Sequence, residues 1–425
     1  MAPLVAPTRV RYGVVACTLA LIAVAYLDRV CISTAAPAIK SALELSDTQM
    51  GVVFSAFTFA YALFEVPSGW FADRFGARLT LVRIVAWWSV MTAATGFAGG
   101  FASLVVIRLL FGIGEAGAFP ATARVFVRWL PPSERGRVFG LAIMTGAFAG
   151  AATQPLVVAL LARMSWRAVF ALLGGVGVLW AVAWWCFFRD DPRDHPWVNE
   201  GELRVIGEGH DARVVLARTP VPWALLARSR ALIALCAMYT GAIYGWYFYL
   251  TWLPTYLLRG RGFDLAQVGW LAALPLVAIG VGVFLGGWLS DALSRRLGSR
   301  AGRRLPGVVG LPLAAAAVVG AVATSSPIAA AMLLATAAGL AALGVAPAWA
   351  VCLEIGGAHA GVVSGTMNTF GNLGGALSPV VVGICLERWA SWQAPLLSVA
   401  ALYLVAAACW WMVDPTRRIE AAAAV

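Results

Sequence analysis

Apolar runs of about twenty residues recur along the chain, each closed by a short loop that gathers arginine, glycine or proline. Twelve such runs extend approximately over 12–36, 50–71, 80–99, 103–127, 138–161, 167–188, 231–257, 267–289, 306–323, 328–352, 361–386 and 394–413. At a rise of ~1.5 Å per residue, about twenty residues of helix match the ~30 Å hydrocarbon core of a bilayer. Each run is therefore predicted to be a membrane-spanning helix, and the fold class is an all-α polytopic membrane protein. The longest polar stretch, 189–230, divides the runs six and six. It is predicted to be a central linker between an N-terminal half, 1–188, and a C-terminal half, 231–425.

Composition agrees with this. Of 425 residues, 61% are hydrophobic and 12% charged, against about 25% charged in a soluble chain. The formal charge of +11 does not imply a nucleic-acid partner, because the arginines sort by loop. With the N-terminus in the cytoplasm, 22 basic residues fall in inner loops and termini and six in outer ones (Lys40, Arg163, Arg167, Arg259, Arg261 and Arg388). The positive-inside rule then places both termini and the linker in the cytoplasm, in a multi-pass protein of the inner (cytoplasmic) cell membrane. The seven cysteines lie in or beside apolar runs without metal-ligand spacing, and the three histidines fall in loops. No metal site, cofactor or intramembrane catalytic constellation is expected, and the chain does not read as an enzyme. The stretch before Tyr12 is too short for a signal peptide, so the first run is taken as a true span.

Against this background, charges inside the runs stand out. The fourth carries Arg108 and Glu115, seven residues apart, hence on one helix face and roughly 10 Å from each other. A charge at the bilayer centre costs on the order of 3 kcal/mol or more, so this face should look into a bundle interior or a wet pathway. A buried ion pair that only fixes packing is the alternative. Gly112, Gly114 and Gly117 permit close helix approach, and Pro120 invites a kink. The first span carries Asp28 and Arg29, which as helix neighbours cannot face each other and should find partners elsewhere, the fourth span being the candidate.

Other polar groups cluster by spacing. Tyr61 and Glu65 lie four apart in the second span. The seventh is dense in hydroxyl-bearing rings, with Tyr244 and Tyr247 three apart on one face. In the eleventh, Ser364, Asn368 and Asn372 form a polar stripe that either bonds another helix or lines a cavity. Glu354, at the end of the tenth, reads as a loop-side pairing residue.

The second span ends in Gly69-Trp-Phe-Ala-Asp73-Arg74-Phe-Gly76-Ala-Arg78, and the spacing of Gly69 to Asp73 recurs as Gly287 to Asp291, followed by Arg295 and Arg296. This signature resembles that of the major facilitator superfamily, which implies two pseudo-symmetric six-helix halves with a site between them at the membrane midplane. Asp73, Arg74, Arg78, Asp291 and Arg295 would then form latches on the cytoplasmic face, gating the pathway. Asp28-Arg29, Arg108 with Glu115-Ala and Pro120, Trp166-Arg167, the tyrosine-rich seventh span and Asn368 with Asn372 resemble the anion:cation symporter family over nearly the whole chain. That resemblance implies a small carboxylate or sugar acid carried with protons by alternating access. Arg29 would clasp the carboxylate, with Tyr26, Tyr61, Tyr244, Tyr247, Asn368 and Asn372 lining the site. Arg108 would tune it, while Asp28 and Glu115 would bind the coupled protons. Glu65 departs from the amide that relatives often have, and the tenth span lacks hydroxyls suited to a polyol. The expected partners are the substrate and the lipid bilayer, with the protein a monomer. Because a Glu-Ala motif also occurs in Spinster-like lipid transporters, export of drugs or amphiphilic lipids is the alternative.

Overall fold

A computed structural model describes the backbone of residues 6–207 and 223–416, and the side chains of all of these except 66, 69–75, 223, 224 and 358. Every regular element among the described residues is a helix. The first three spans are Val10–Ala42, Asp47–Phe75 and Ala77–Thr95. The fourth is broken into Phe101–Glu115 and Ala118–Trp129, and Pro132–Leu161 and Trp166–Phe187 follow as the fifth and sixth. After the linker come Arg230–Thr251, extended by Leu253–Thr255 and Tyr256–Gly260, then Leu265–Leu297 and Ser299–Ala323. The tenth span is again broken, into Pro327–Ala342 and Val345–Gly356, before Ala360–Trp389 and Gln393–Met412 complete twelve. Ten of these spans are long and apolar enough to cross a bilayer by length and composition alone. The second span packs against the fourth and eleventh, and the third against the fourth and sixth.

The two halves repeat each other in their local chemistry. Ser46 and Gln49 form a capping box at the start of the second span, and Asp264 and Gln267 form one at the start of the eighth. Each box satisfies two N–H groups that a helix start otherwise leaves without partners. Gly76 turns the chain from the second to the third span at φ 81°, ψ 163°, and Gly298 turns it from the eighth to the ninth at φ 82°, ψ 160°. These positive φ values suit only a residue without Cβ. The breaks correspond as well. In each broken span the second piece carries a proline at its third position, Pro120 and Pro347. Proline is tolerated there because a first-turn N–H has no helical partner to lose. The kink expected at Pro120 therefore lies just before it, where Ala116 leaves the helix at ψ 134° and Gly117 adopts φ 92°.

Across the halves, the second span packs on the eleventh, the fifth on the eighth and the first on the seventh. At the end opposite the Gly76 and Gly298 turns, cross-half bonds join them. Arg259 pairs with Asp47 at 2.8 Å, and Glu387 accepts from the Ser46 hydroxyl and the Thr48 N–H, both at 3.2 Å. At the other, arginine-rich end the linker is tied to the first half. Buried Glu202 accepts from the N–H groups of Val10 and Arg11 at 3.1 and 2.9 Å, capping the first span.

Candidate functional site between the halves

The break in the fourth span fixes the site. Glu115 is the last residue of its first piece, fully buried, and its Oε1 accepts from Arg29 Nε at 2.5 Å. Arg29 is held from the middle of the first span over three rings, Tyr61 at 4.7 Å, Phe57 at 5.3 Å and Tyr26 at 5.6 Å from their centroids. Such ring faces favour a cation, and more so when water is excluded. Behind this pair lie Asp28 and Arg108, 0% and 2% exposed. Neither oxygen of Asp28, nor Nε and Nη2 of Arg108, nor Oε2 of Glu115 has a hydrogen-bond partner among the described residues. Arg108 sits over Phe111 at 5.0 Å and Phe170 at 6.0 Å, and Asp28 and Glu115 are the acidic groups that act on it.

Two cations and two carboxylates thus share a space with little else to hold their charge. An unpaired buried ion costs several kcal/mol, so the four are kept by mutual compensation, and removing the charge of one leaves another exposed to that cost. A cavity of about 30 Å³ opens beside them, lined by Arg29, Arg108, Tyr247, Thr58 and Thr251 among apolar residues. That is room for a water-sized group.

Glu65, one turn after Tyr61 on the second span, lies near enough to Arg29 to feel its charge. Both of its oxygens accept from the Asn368 amide of the opposite half, at 2.9 and 2.8 Å. The polar stripe of the eleventh span is therefore divided between partners. Asn368 faces the second span, Asn372 accepts from the Tyr247 hydroxyl at 3.4 Å, and Ser364 bonds its own backbone at Ala360.

Among the residues expected at a substrate site, Tyr26, Tyr61, Arg29 and Arg108 come together with Asp28 and Glu115, and Tyr247 joins them from the second half. Tyr244 does not. Its hydroxyl shares a hydrogen bond of 3.0 Å with Ser398 of the twelfth span, because three residues along a helix turn a side chain by ~60° from its neighbour's direction.

The expected latches also differ. The side chains of Asp73 and Arg74 lie outside the described residues. Arg78 stays within its own half, donating to the Trp185 carbonyl at 2.5 Å and lying over its indole at 4.3 Å. The partner of Asp291 is Arg303 at 2.6 Å, which also pairs with Glu354 at 2.8 Å, while Arg295 is exposed and unpaired among the described residues. The second loop is one helical turn longer than the first between its aspartate and its turning glycine, so the arginine that reaches Asp291 comes from the ninth span.

Sequence reading missed three polar residues that structure the site and its surroundings. Gln154, fully buried in the fifth span, accepts from Thr34 of the first. Asp190 caps the third span through the N–H groups of Ala77 and Arg78 at 2.7 and 3.1 Å, and Glu202 caps the first. A lone amide in an apolar run was a usable signal for Gln154; the two caps come from a linker with no local pattern.

The Major Facilitator Superfamily family model matches residues 18–379 and 266–424. The chain is 38% identical over 400 residues to a protein of Cupriavidus necator named probable sulfoacetate transporter, covering 93% of this chain and 92% of the relative. It is 32% identical to the D-galactonate transporter of Escherichia coli O6:H1, covering 94% and 95%. The hexuronate transporter of Bacillus subtilis is 31% identical, covering 90% and 89%. Among solved structures, an inward-facing, occupied bacterial homologue of the human lysosomal transporter Spinster aligns with TM-score 0.78 at 20% identity, over 96% of this chain and 98% of that one. At that identity the likeness carries the fold alone.

Proposed function

The chain belongs to the Major Facilitator Superfamily and is a multi-pass membrane transporter, and we propose that it carries a small organic anion together with protons by alternating access of its halves. The observation that supports this most directly is the Arg29–Glu115 pair with Asp28 and Arg108 behind it. An arginine presents a planar fork that matches a carboxylate or sulfonate, and here Glu115 occupies it. Protonating Glu115 releases that cation to a substrate anion. Protonating Asp28 likewise leaves Arg108 without its counter-charge and raises the positive potential of the site. Anion and proton therefore bind with positive coupling, and by linkage each strengthens the other.

The cross-half bonds of Asp47 with Arg259 and of Glu387 with the second span close one end. With the arginine-rich end in the cytoplasm, the closed end is the outer one and both termini lie inside. The relatives bear names of carriers for sulfoacetate, galactonate and hexuronate. The broken tenth span offers Val345-Ala-Pro-Ala-Trp-Ala rather than hydroxyls, which favours a short acid with few hydroxyl groups over a sugar acid.

The test is uptake by proteoliposomes holding the purified protein, with sulfoacetate, galactonate, glucarate and a hexuronate offered with and without an inward proton gradient. Accumulation of one acid that depends on the gradient is the expected result. Transport of neutral or lipid-like compounds with no flux of any acid would overturn the reading and favour amphiphile export.

A further inference from the structure

We infer that Glu65 is a third proton-linked residue of the transport site, and that its bond to Asn368 is a strut between the halves which the substrate anion replaces. This rests on the proton-coupled anion transport proposed above. The two residues lie 303 positions apart, one in each half, and meet half-buried where the second span packs on the eleventh. One amide nitrogen serves both carboxylate oxygens, at 2.9 and 2.8 Å. An ionised carboxylate accepts on both oxygens. A proton turns one of them into a donor, and an amide nitrogen has no lone pair to receive it, so protonation removes half of the strut.

The surroundings determine what that proton does. Arg29 of the first span is the charged group that acts on Glu65. Tyr61, one turn earlier on the same helix, and Tyr239 of the seventh span are the ionisable hydroxyls near it. On the fourth span, Glu115 holds Arg29, and Arg124 and Arg128 lie on the second piece, towards the loop. The charged residues of the neighbouring spans, Arg78 and Arg83 of the third and His359, Glu387 and Arg388 at the ends of the eleventh, lie towards the loops. Asp73 and Arg74, two turns further along its own helix, have side chains outside the described residues.

Two carboxylates, Glu115 in direct contact and Glu65 acting through space, thus compete with any incoming anion for Arg29. Ionised Glu65 repels that anion and keeps Asn368 occupied. Protonated Glu65 no longer repels it and holds Asn368 by one bond instead of two, which frees an amide N–H for the substrate. Loss of the proton lets Glu65 retake Asn368 and expel the anion. The residue is a positioning and coupling group, acting through Arg29 and Asn368.

The experiment measures binding of the best-transported acid to purified protein between pH 5 and 8, for wild type, Glu65→Gln and Glu65→Asp. In wild type the dissociation constant rises with pH. In Glu65→Gln the rise is expected to be shallower by up to about tenfold per pH unit, the share of one linked proton, with exchange of substrate retained. Glu65→Asp keeps the titrating group but is one methylene short of Asn368, so it is expected to keep the steep rise while binding more tightly at pH 8 than wild type. A Glu65→Gln protein with the wild-type slope, or a Glu65→Asp protein with wild-type binding at pH 8, overturns the inference while proton-driven uptake by wild type stands. Absence of proton-driven uptake of any acid by wild type removes both.

Discussion

Arg29 donates to Glu115 at the very residue where the fourth span stops being helical, so the ion pair and the helix break occupy one place. The two features support each other. The last carbonyls of a half-helix carry the negative end of its dipole, which favours a cation beside them. Gly117, in the left-handed region at φ 92°, turns the chain so that the second piece can restart at Ala118. The cation of the first span thus sits beside a carboxylate and near the negative end of a half-helix; on the mechanism proposed above, a proton releases only the side-chain part.

Glu115→Gln is expected to uncouple uptake from the proton gradient. The amide keeps the size of the side chain and an acceptor oxygen for Arg29, yet it cannot titrate. Gradient-driven accumulation in proteoliposomes should fall to the level without a gradient, while exchange of labelled for unlabelled substrate persists. Full gradient-driven uptake by this variant would remove Glu115 from the coupling role.

Arg29→Lys tests geometry apart from charge. Lysine keeps the positive charge, but its ammonium offers no planar fork and gains less from the three surrounding rings. Uptake of the preferred acid at subsaturating concentration should drop by about 10-fold to 100-fold, the loss of one to two good charge-assisted bonds. An unchanged rate would show that the substrate does not use the fork.

Gly112→Ala tests the packing that carries the ring shelf under Arg29. A Cβ there would stand 2.4 Å from the Phe57 carbonyl oxygen and 3.1 Å from the Tyr61 nitrogen, both backbone atoms that cannot swing aside. Overpacking of this kind costs about 1–3 kcal/mol. The variant is expected to melt at a lower temperature in detergent, and to bind substrate less tightly because Phe57 and Tyr61 shift with the second span.

Much of this arrangement was legible in the sequence, and the exceptions have identifiable causes. Spans show as runs of apolar residues because lipid demands it at every position, whatever the partners. Asp28, Arg29, Arg108 and Glu115 show because a charge in such a run is costly and so rarely accidental. Pairing is harder to read, since it is decided by helices distant in sequence. Asp291 was matched to Arg295 by analogy with the first loop, whereas one extra turn hands it to Arg303. Tyr244 shares a nominal face with Tyr247, but the ~60° between them separates Ser398 from Asn372. The break was sought at Pro120, where proline does no harm, and occurs at Gly117, whose conformation no local pattern announces.

His195 gives the linker an acid sensitivity. It is 4% exposed, boxed by Trp129, Phe187 and Trp197, and its Nδ1 accepts from the Trp197 N–H at 3.2 Å. Burial holds its imidazole below the ordinary value of 6.5. The folded linker thus binds a proton less readily than the unfolded one. No stability is lost while both are neutral above about pH 6.5; it falls as pH drops from there towards the depressed value. Cleavage of the linker by added protease should rise between pH 7.5 and 5.5 in wild type. In His195→Phe it should not. Equal acid sensitivity in the two proteins would assign the effect to another group.

The bonds at the end opposite the arginine-rich loops make the closing contact between halves separable from contacts within one half. Asp47 receives Lys40 of its own half at 2.5 Å and Arg259 of the other at 2.8 Å. On the alternating access proposed above, only the second has to break for that end to open. Arg259 is 46% exposed, so screening limits the pair to about 0.5–1 kcal/mol, a factor of roughly 2 to 5 in the balance between closed and open states. Arg259→Gln should raise the labelling rate of a cysteine placed at Thr251, which is 7% exposed beside the cavity, by that factor when the reagent is applied from the outside. Lys40→Gln breaks a bond that both states keep, so it should leave the labelling rate unchanged. Equal rates in wild type and Arg259→Gln would mean that the closure rests on helix packing at Gly51 and Gly383, where the second and eleventh spans touch backbone to backbone, and not on the ion pair.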